Sequence, residues 1–323
     1  MKTLVTGAAG FIASHLTEKL VGQGHSVRAF VRYNSRNSWG WLEESPCRDH
    51  IEIISGDIRD LDLVKEAVKG CDIVFHLAAL IGIPYSYVSP LAYIRTNVEG
   101  TYNVLQAARE SGGCRIIHTS TSEVYGTAQY VPIDEKHPVN PQSPYAATKA
   151  SADSLAMSYF RSFGLPVTVV RPFNTYGPRQ SARAVIPTVI SQILDGKKTI
   201  RLGNLSPTRD LTYVDDTVSG FIAAALSDRT VGKVLNLGTG TEVSVGDLAA
   251  LIARIMEREV VIEEDTQRVR PSASEVERLL SDPGIMRDLT RWEAKTGLEE
   301  GLKKTIQWMS GRKGLFKSDL YNV

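Results

Sequence analysis

The stretch "KTLVTGAAGFIA", residues 2–13, decides the fold of the amino-terminal half of the chain. A short segment rich in β-formers, residues 2–6, is followed at once by small residues and then by the amphipathic segment 11–23. Small residues let a backbone turn tightly and approach an anion, and the amino end of the next helix attracts negative charge. The stretch therefore predicts a strand, a phosphate-binding loop and a helix, in that order.

The same alternation of short apolar and longer amphipathic segments continues through the first 171 residues. We predict strands at 2–6, 26–31, 51–55, 73–77, 115–120 and 166–171, and helices at 11–23, 61–69, 90–111 and 143–163. This alternation is typical of a parallel sheet covered by helices. The predicted fold class is α/β, a Rossmann-like doubly wound parallel sheet with a smaller α/β substrate-binding lobe.

The regular alternation weakens after Arg171-Pro172, where glycine and proline interrupt the chain. We predict a dinucleotide-binding domain at residues 1–171, rejoined by about 211–240. Residues 172–210 plus 241–323 are expected to form the substrate-binding lobe. Such a lobe would cover the carboxyl ends of the strands, where ligands bind in sheets of this kind.

Composition excludes several classes of protein. Lys and Arg number 37 against 36 Asp and Glu, a formal charge of +1, so we expect no nucleic-acid partner. The three cysteines form no C-x-x-C pair, which argues for free thiols and no metal. No apolar run reaches the roughly 18 residues that span a membrane. Met1 leads directly into the first strand, so we expect a cytoplasmic protein without a signal peptide or a membrane partner.

The loop after the first strand predicts a nicotinamide dinucleotide cofactor. An acidic residue that binds the adenosine ribose is usual at the end of the second strand, but this chain reads "RAFVRYNSR" at 28–36. The missing carboxylate and the nearby arginines favour the 2′-phosphate of NADP, with NAD as the alternative if those arginines are solvated loop charges. The residues predicted to contact the cofactor are Gly7, Gly10, Phe11, Ile12, Arg32, Asn34, Ser35, Arg36, Asp57, Ile58, Leu77, Ala78, Ala79, Tyr145 and Lys149.

A candidate catalytic group follows the fifth strand. Tyr145 and Lys149 are four residues apart, which places phenol and ammonium on one face of a helix. A nearby cation lowers the pKa of a phenol, so the tyrosine can accept a proton from an alcohol as hydride leaves its carbon. The stretch "STSEVYG" at 120–126 adds hydroxyls and the carboxylate of Glu123 at the end of the strand.

With these motifs the chain resembles the extended short-chain dehydrogenase/reductase family, in its NAD-dependent epimerase/dehydratase group. The resemblance covers nearly the whole chain and includes Asn97, "RPFNTYGPR" at 171–179 and "RDLTYVDD" at 209–216. It implies a nucleotide-diphosphate sugar as substrate and a tightly bound cofactor that is recycled within each turnover. The helices at 90–111 and 143–163, partly apolar on more than one face, are the expected homodimer interface.

The resemblance gives Thr121, Ser122 and Glu123 a role. Sugar 4-epimerases of the family generally lack a carboxylate at the position of Glu123, whereas 4,6-dehydratases carry Thr-Asp-Glu or Thr-Ser-Glu. The segments "FVRYNSRNSWGWLEE" at 30–44 and "RPFNTYGPRQSARAVIPTVI" at 171–190 look like the N-acetylglucosamine nucleotide 4,6-dehydratases of legionaminic acid biosynthesis. The implied product is a 4-keto-6-deoxy sugar, formed from a GDP- or UDP-linked hexose.

The resemblance also implies a set of substrate contacts. Asn174, Arg209, Asn236 and Arg270 match the diphosphate positions, with Arg179 and Arg183 nearby, while Thr121 and Ser86 are expected to bind the hexose. Three alternatives stay open: a UDP-glucuronate decarboxylase, a nucleotide-sugar 4-epimerase, and, more remotely, a non-catalytic cofactor-sensing protein.

Overall fold

The computed structural model describes residues 1–33 and 37–318. Fourteen strands are described in these ranges. They are β1 (Lys2–Thr6), β2 (Ser26–Arg32), β3 (Ile51–Gly56), β4 (Ile73–His76), β5 (Arg115–Thr119), β6 (Val167–Pro172), β7 (Asn174–Tyr176), β8 (Thr199–Leu202), β9 (Thr208–Arg209), β10 (Leu211–Tyr213), β11 (Val234–Leu237), β12 (Val243–Ser244), β13 (Val261–Glu264) and β14 (Arg278–Leu279).

Eleven α-helices accompany the strands in the described ranges, and none of them is both long and apolar enough to cross a membrane. They are α1 (Phe11–Gly22), α2 (Leu61–Val68), α3 (Ile83–Val88), α4 (Pro90–Tyr93), α5 (Gly100–Glu110), α6 (Pro144–Phe163), α7 (Val185–Leu194), α8 (Val214–Leu226), α9 (Val245–Ile255), α10 (Gly284–Thr290) and α11 (Leu298–Ser310).

The main sheet has seven parallel strands in the order β11-β6-β5-β4-β1-β2-β3. The chain builds outward from β1 through β2 to β3, then returns to the other side of β1 to place β4. Ligands bind at such a reversal, outside the carboxyl ends of the strands. The predicted Rossmann-like α/β fold is confirmed, and the reversal places the loops after β1 and β4 side by side.

Both faces of the central strands of the main sheet are buried, which explains why these strands are rich in apolar residues. Neighbouring residues along a strand face opposite sides: Leu4 packs on the face covered by α2 and α5, and Val5 packs on the face covered by α1 and α8. Both side chains are fully buried. The central strands are therefore held rigidly between two helical layers.

The predicted helix at 90–111 differs in the structure, because α4 and α5 are joined by a π-helical segment, Ile94–Glu99. The wider turn presents the Asn97 side chain to the backbone of Leu80: it accepts from the Leu80 amide at 2.8 Å and donates to the Leu80 carbonyl at 3.0 Å. Wider helical turns of this kind are frequent at functional sites. Asn97 thereby fixes the loop that follows β4.

The chain after β6 forms three small sheets and returns once to the main sheet. β11 pairs in parallel with β6 at the sheet edge. The small sheets join β10 with β7, β12 with β9 and β14, and β13 with β8. The assignment of 172–210 plus 241–323 to a separate substrate-binding lobe stays a prediction.

Candidate active site

The loop after β1 is shaped to receive an anion. Gly7 has a φ of +71°, and a Cβ at this position would lie 2.9 Å from the Ala78 Cα in the loop after β4. Gly10 is the N-cap of α1 and has no side chain that could bond the first amides of the helix. The first turn of α1 contains no acidic residue. Backbone N–H groups of this turn are therefore available, and the loop fits the pyrophosphate of a dinucleotide.

The carboxyl ends of β1 and β4 are joined by Thr6. Its hydroxyl accepts from the amides of Leu77 and Ala78, each at 3.1 Å, and lies 2.9 Å from His76 Nδ1. Burial lowers the pKa of His76 well below its usual value, so this imidazole is neutral. These contacts hold Leu77 and Ala78 beside Gly7, where the cofactor is expected to pass.

The candidate adenosine side of the site lies at the ends of β2 and β3. Arg32 is exposed there, and the Asp57 carboxylate accepts from Arg59 Nε at 2.8 Å. The hydrogen bond from Arg59 lowers the pKa of Asp57, and Arg32 contributes in the same direction. Ile58 is buried, and its carbonyl accepts from Asn103. The predicted contacts Asn34, Ser35 and Arg36 lie outside the described residues.

A tryptophan-bearing loop closes over the phosphate loop. Gly40 has a φ of +60°, and a Cβ there would lie 2.6 Å from the Ala9 carbonyl oxygen. The Trp41 amide donates to the same carbonyl at 3.3 Å. The Trp41 ring packs edge-on against Trp308 of α11, with ring centroids 5.5 Å apart. The carboxyl-terminal helix thus supports the loop that covers Ala9.

Tyr145 and Lys149 lie in the first turns of α6, which begins with the Ser143 hydroxyl accepting from the Ala146 amide. Both catalytic candidates are buried. Lys149 Nζ donates to the Thr119 carbonyl at 2.6 Å, and burial lowers the pKa of Lys149 to about 8. Burial also raises the pKa of Tyr145, against which a hydrogen bond with Thr121 acts. The ammonium and the phenol are thus linked to Thr119 and Thr121, two residues at the carboxyl end of β5.

Glu123 lies beside this group because the chain after β5 turns into a short 3-10 helix, Ser122–Tyr125. The Thr121 hydroxyl caps that helix by accepting from the Glu123 amide at 3.2 Å. Ser122 is buried, whereas Glu123 is half-buried. Glu123 raises the pKa of Tyr145 after the larger contribution of burial, so its carboxylate lies close enough to act on the phenol electrostatically.

A pair of arginines forms a candidate anion site next to Glu123. Burial lowers the pKa of Arg209. Among the nearby carboxylates, Glu123 does most to raise that pKa again. Arg209 Nη2 lies 3.5 Å and Arg270 Nη1 lies 3.8 Å from the same oxygen of Glu275. Within residues 1–33 and 37–318, the buried Arg270 Nη1 has no hydrogen-bond partner, and neither has the Asn174 side-chain oxygen. These two atoms, one a cationic donor and the other an acceptor, can therefore still form hydrogen bonds with a ligand.

Three of the predicted substrate contacts have side chains that are bonded within the protein. Asn236 is fully buried, accepting from the Tyr125 hydroxyl at 2.7 Å and donating to the Ile133 carbonyl at 2.9 Å. Ser86 is fully buried and donates to the Ile83 carbonyl. Arg179 pairs with Glu18 of α1 at 2.8 Å. Each side chain is engaged within the protein, and its contact with a diphosphate or hexose stays a prediction.

Arg183 is brought toward the catalytic group. It is exposed, and its guanidinium would lie 3.1 Å from a Cβ at Gly82. The Tyr93 hydroxyl donates to the Gly82 carbonyl, and the Tyr93 ring packs edge-on against Tyr145, with centroids 6.3 Å apart. Arg183 therefore stays a candidate substrate contact.

Sequence reasoning missed a set of buried polar residues beside Tyr145 and Lys149. They are His118, Ser120, Asp153 and Arg171. The available signals were Asp153, four residues after Lys149 on a buried helix, and Arg171 in an otherwise apolar strand. The described residues contain no group of three or more His, Cys, Asp or Glu arranged to hold a metal ion.

Known proteins of three activities match the chain over nearly its full length. A UDP-glucose 4-epimerase of Mycolicibacterium smegmatis is 34% identical, over 97% of this chain and 99% of that protein. A UDP-N-acetyl-alpha-D-glucosaminuronate decarboxylase of Bacillus cytotoxicus is also 34% identical, over 95% and 97%. The structure of a double mutant of the dTDP-glucose 4,6-dehydratase DesIV of Streptomyces venezuelae, with NAD bound, has a TM-score of 0.86 at 28% identity and covers 98% of this chain and 99% of that one.

The model of the GDP-mannose 4,6 dehydratase family matches residues 4–305. This range includes the phosphate loop, the Tyr145–Lys149 pair, Glu123 and both arginines of the candidate anion site. The matched relatives act on nucleotide sugars, and they share the whole length of the chain rather than the cofactor loop alone. The chain therefore belongs to the NAD-dependent epimerase/dehydratase family of nucleotide-sugar enzymes.

Proposed function

We propose that this enzyme is a 4,6-dehydratase that converts a GDP- or UDP-linked N-acetylglucosamine, or a related hexose, to its 4-keto-6-deoxy product. The observation that carries the proposal is the position of Glu123. Its half-buried carboxylate follows Thr121 and Ser122, its amide donates to the Thr121 hydroxyl, and its charge acts on Tyr145. A reaction that only removes and returns one hydride does not need this carboxylate, whereas removal of a carbon-bound proton does.

The residues can divide the reaction as follows. A nicotinamide dinucleotide held by the phosphate loop would supply a hydride acceptor for C4 of the sugar and a hydride donor for C6. Tyr145 accepts the proton of the C4 hydroxyl, and the Lys149 ammonium stabilises the phenolate. The C4 ketone acidifies the C5 proton, which Glu123 removes.

Glu123 then donates that proton to the leaving C6 hydroxyl, so that water departs and a C5–C6 double bond forms. As a hydride is added at C6, C5 takes up one solvent proton through Glu123, and the proton on Tyr145 passes to solvent, which restores the phenolate for the next turnover. The net change in the sugar is the loss of one water. We assign the acid step to Glu123 because Ser122 is a much weaker acid and is buried.

The diphosphate of the substrate is assigned to Arg209 and Arg270, with Asn174 beside them. A buried guanidinium nitrogen without a hydrogen bond is costly, and a phosphate oxygen would satisfy Arg270 Nη1. The choice of N-acetylglucosamine rests on the resemblance of segments 30–44 and 171–190.

We further propose NADP as the preferred cofactor, supported by Arg32 at the end of β2 in place of an acidic residue. A homodimer through α4, α5 and α6 is supported by exposed apolar residues on these helices and the segment between them. They are Leu91, Ile94, Tyr102 and Phe163. NAD is the alternative cofactor, because the related dehydratase DesIV was solved with NAD bound.

The direct test is to incubate the purified enzyme with GDP- and UDP-N-acetylglucosamine and to measure the product mass. A 4,6-dehydratase yields a product lighter by one water and leaves no net NADPH. A 4-epimerase leaves the mass unchanged, and a decarboxylase releases CO2 from UDP-glucuronate. These two outcomes are the relevant alternatives, because an epimerase and a decarboxylase have the same sequence identity to this chain.

Glu123→Gln separates the dehydratase from the epimerase. The variant keeps the shape of the side chain but cannot accept a proton, so exchange of the C5 hydrogen with deuterated solvent should fall by about 10²–10⁴-fold. Oxidation at C4 depends on Tyr145 and Lys149 and should survive. Tyr145→Phe, the matched control, should block both steps. Dehydration by Glu123→Gln at near the unmodified rate would reassign the enzyme to a reaction without this base.

A further inference from the structure

The buried polar residues beside Tyr145 and Lys149 have no role in the proposed reaction. They are His118 and Ser120 from β5 and the residue after it, Asp153 from α6, and Arg171 from β6. None is more than 6% exposed. We refer to these four residues as the Asp153 network.

Asp153 is the centre of the network. Its Oδ2 accepts from the Ser120 hydroxyl at 2.8 Å and from Arg171 Nε at 3.0 Å. His118 Nε2 lies 3.3 Å from the other oxygen. The Arg171 guanidinium also lies over the Tyr125 ring, 4.8 Å from its centroid. One carboxylate therefore joins α6 to the carboxyl ends of two neighbouring strands.

Fold stability alone is a weak reason to bury such an ion pair. Taking two charges out of water costs several kcal/mol per ion, and well-packed apolar residues are often as stable. A buried pair can instead specify one relative position of the elements that it joins. The elements joined here are those that carry the candidate catalytic residues.

The connections to the catalytic residues are short. Asp153 lies one helical turn after Lys149 and two turns after Tyr145. Ser120 lies between Thr119, whose carbonyl accepts from Lys149 Nζ, and Thr121, which lowers the pKa of Tyr145. A displacement of α6 along β5 would break these contacts and separate Tyr145 from Glu123.

We propose that Asp153 is a positioning residue, whose carboxylate holds the helix of Tyr145 and Lys149 against the strand end that carries Thr121 and Glu123. It acts on the reacting groups through its contacts and its charge and does not touch the substrate. The inference rests on the proposed function only in assigning the chemistry to Tyr145, Lys149 and Glu123.

The charge of Asp153 gives the proposal a measurable signature. Burial lowers the pKa of Lys149, and Asp153 opposes this. Burial raises the pKa of Tyr145, and Asp153 adds to it. The other titratable and charged groups around the network are His118, His76, Arg171, Tyr125 and Glu123. Removing the negative charge should lower the pKa of both Lys149 and Tyr145, and removing the Arg171 charge should raise both.

The test compares Asp153→Asn with Arg171→Gln, two variants that damage the same ion pair. Both limbs of the pH profile of kcat should move to lower pH in Asp153→Asn, by about one to two pH units. They should move to higher pH in Arg171→Gln. Asp216→Asn is the matched control, because Asp216 is a buried carboxylate of α8 that accepts from the Thr296 amide. It should lower stability without moving the profile.

A second readout needs no turnover. Lys149→Met is introduced into the wild-type and Asp153→Asn backgrounds, and its effect on the free energy of unfolding is followed against pH in cofactor-free protein. The change in the free energy of unfolding caused by Lys149→Met decreases as the pH rises. This decrease should begin at a pH about one to two units lower in the Asp153→Asn background. If Asp153→Asn does not fold, Arg171→Gln alone decides the comparison, with both readouts expected at higher pH; if Arg171→Gln does not fold, Asp153→Asn alone decides it, with both expected at lower pH.

Profiles that stay fixed, or that move in the same direction in both variants, would overturn the positioning role and leave Asp153 a purely structural residue. Absence of turnover by the unmodified enzyme with every nucleotide sugar would instead overturn the proposed function. In that case the stability comparison still decides the proposal for Asp153.

Discussion

Lys149→Met should stabilise the protein at neutral pH while it removes activity. Burial lowers the pKa of Lys149 from 10.5 to about 8, so the native state disfavours the ammonium relative to the unfolded chain. Each pKa unit corresponds to about 1.4 kcal/mol, which makes the cost of the buried charge about 3 kcal/mol at pH 7. Methionine fills a similar volume without a charge.

The sign of the pH dependence follows from the lowered pKa. The buried charge of Lys149 costs no stability above pH 10.5, where the lysine is neutral in both states. The cost grows as the pH falls and is fully present once the pH has fallen through about 8. The cost of the charge is therefore about 3 kcal/mol at pH 7 and about 1.4 kcal/mol at pH 9.5. The variant also leaves the Thr119 carbonyl without its donor, which subtracts about 1–2 kcal/mol at both pH values.

The assay is denaturant unfolding of cofactor-free protein at pH 7 and pH 9.5. The free-energy difference between Lys149→Met and the unmodified protein should fall by about 2 kcal/mol from pH 7 to pH 9.5. Lys303→Met, at an exposed lysine of α11 that pairs with Glu299, is the control and should change little between the two pH values. A difference for Lys149→Met that is the same at both pH values would refute the cost assigned to the buried ammonium.

Two further substitutions test the ligand sites. Arg270→Met should raise KM for the nucleotide sugar about 10–100-fold with a smaller effect on kcat, because it removes a charge-assisted phosphate contact; Arg278→Met, which removes an ion pair with Glu242, should not. An unchanged KM would exclude Arg270 from the diphosphate site. Arg32→Asp should reverse a preference for NADP over NAD, also by about 10–100-fold in affinity, and equal affinity of the unmodified protein for the two cofactors would count against the NADP assignment.

Local sequence patterns predicted the main sheet well. The six predicted strands of the first 171 residues all form, with ends that differ by one residue at most. A short apolar run bounded by polar or small residues carries this information within itself, and so does the phosphate loop, whose Gly7 has the positive φ that a tight turn requires. The spacing of Tyr145 and Lys149 on one helix face is equally local.

Contacts between distant segments were not predictable in this way. Asn236 matched a substrate position of the family and Arg179 was a nearby candidate, but neither pattern indicated that their side chains bond to Tyr125 and Glu18, each more than 100 residues away. The π-helical turn at Ile94–Glu99 depends on the backbone of Leu80, which the periodicity of that helix does not encode. A motif gives the identity of a side chain, and only packing determines what that side chain binds.

The same reasoning explains why the family alone does not determine the reaction. Epimerases, decarboxylases and dehydratases match this chain over its full length, so the scaffold and the cofactor loop are compatible with all three reactions. The Tyr145–Lys149 pair suits any of them, because each can begin with oxidation at C4. What a dehydratase needs in addition is a base for the C5 proton, and the chain places Glu123 beside the phenol without pairing it within 4.0 Å to any described cation. Under the proposed function, the distinction between a dehydratase and an epimerase therefore depends on this one carboxylate more than on any other feature of the fold.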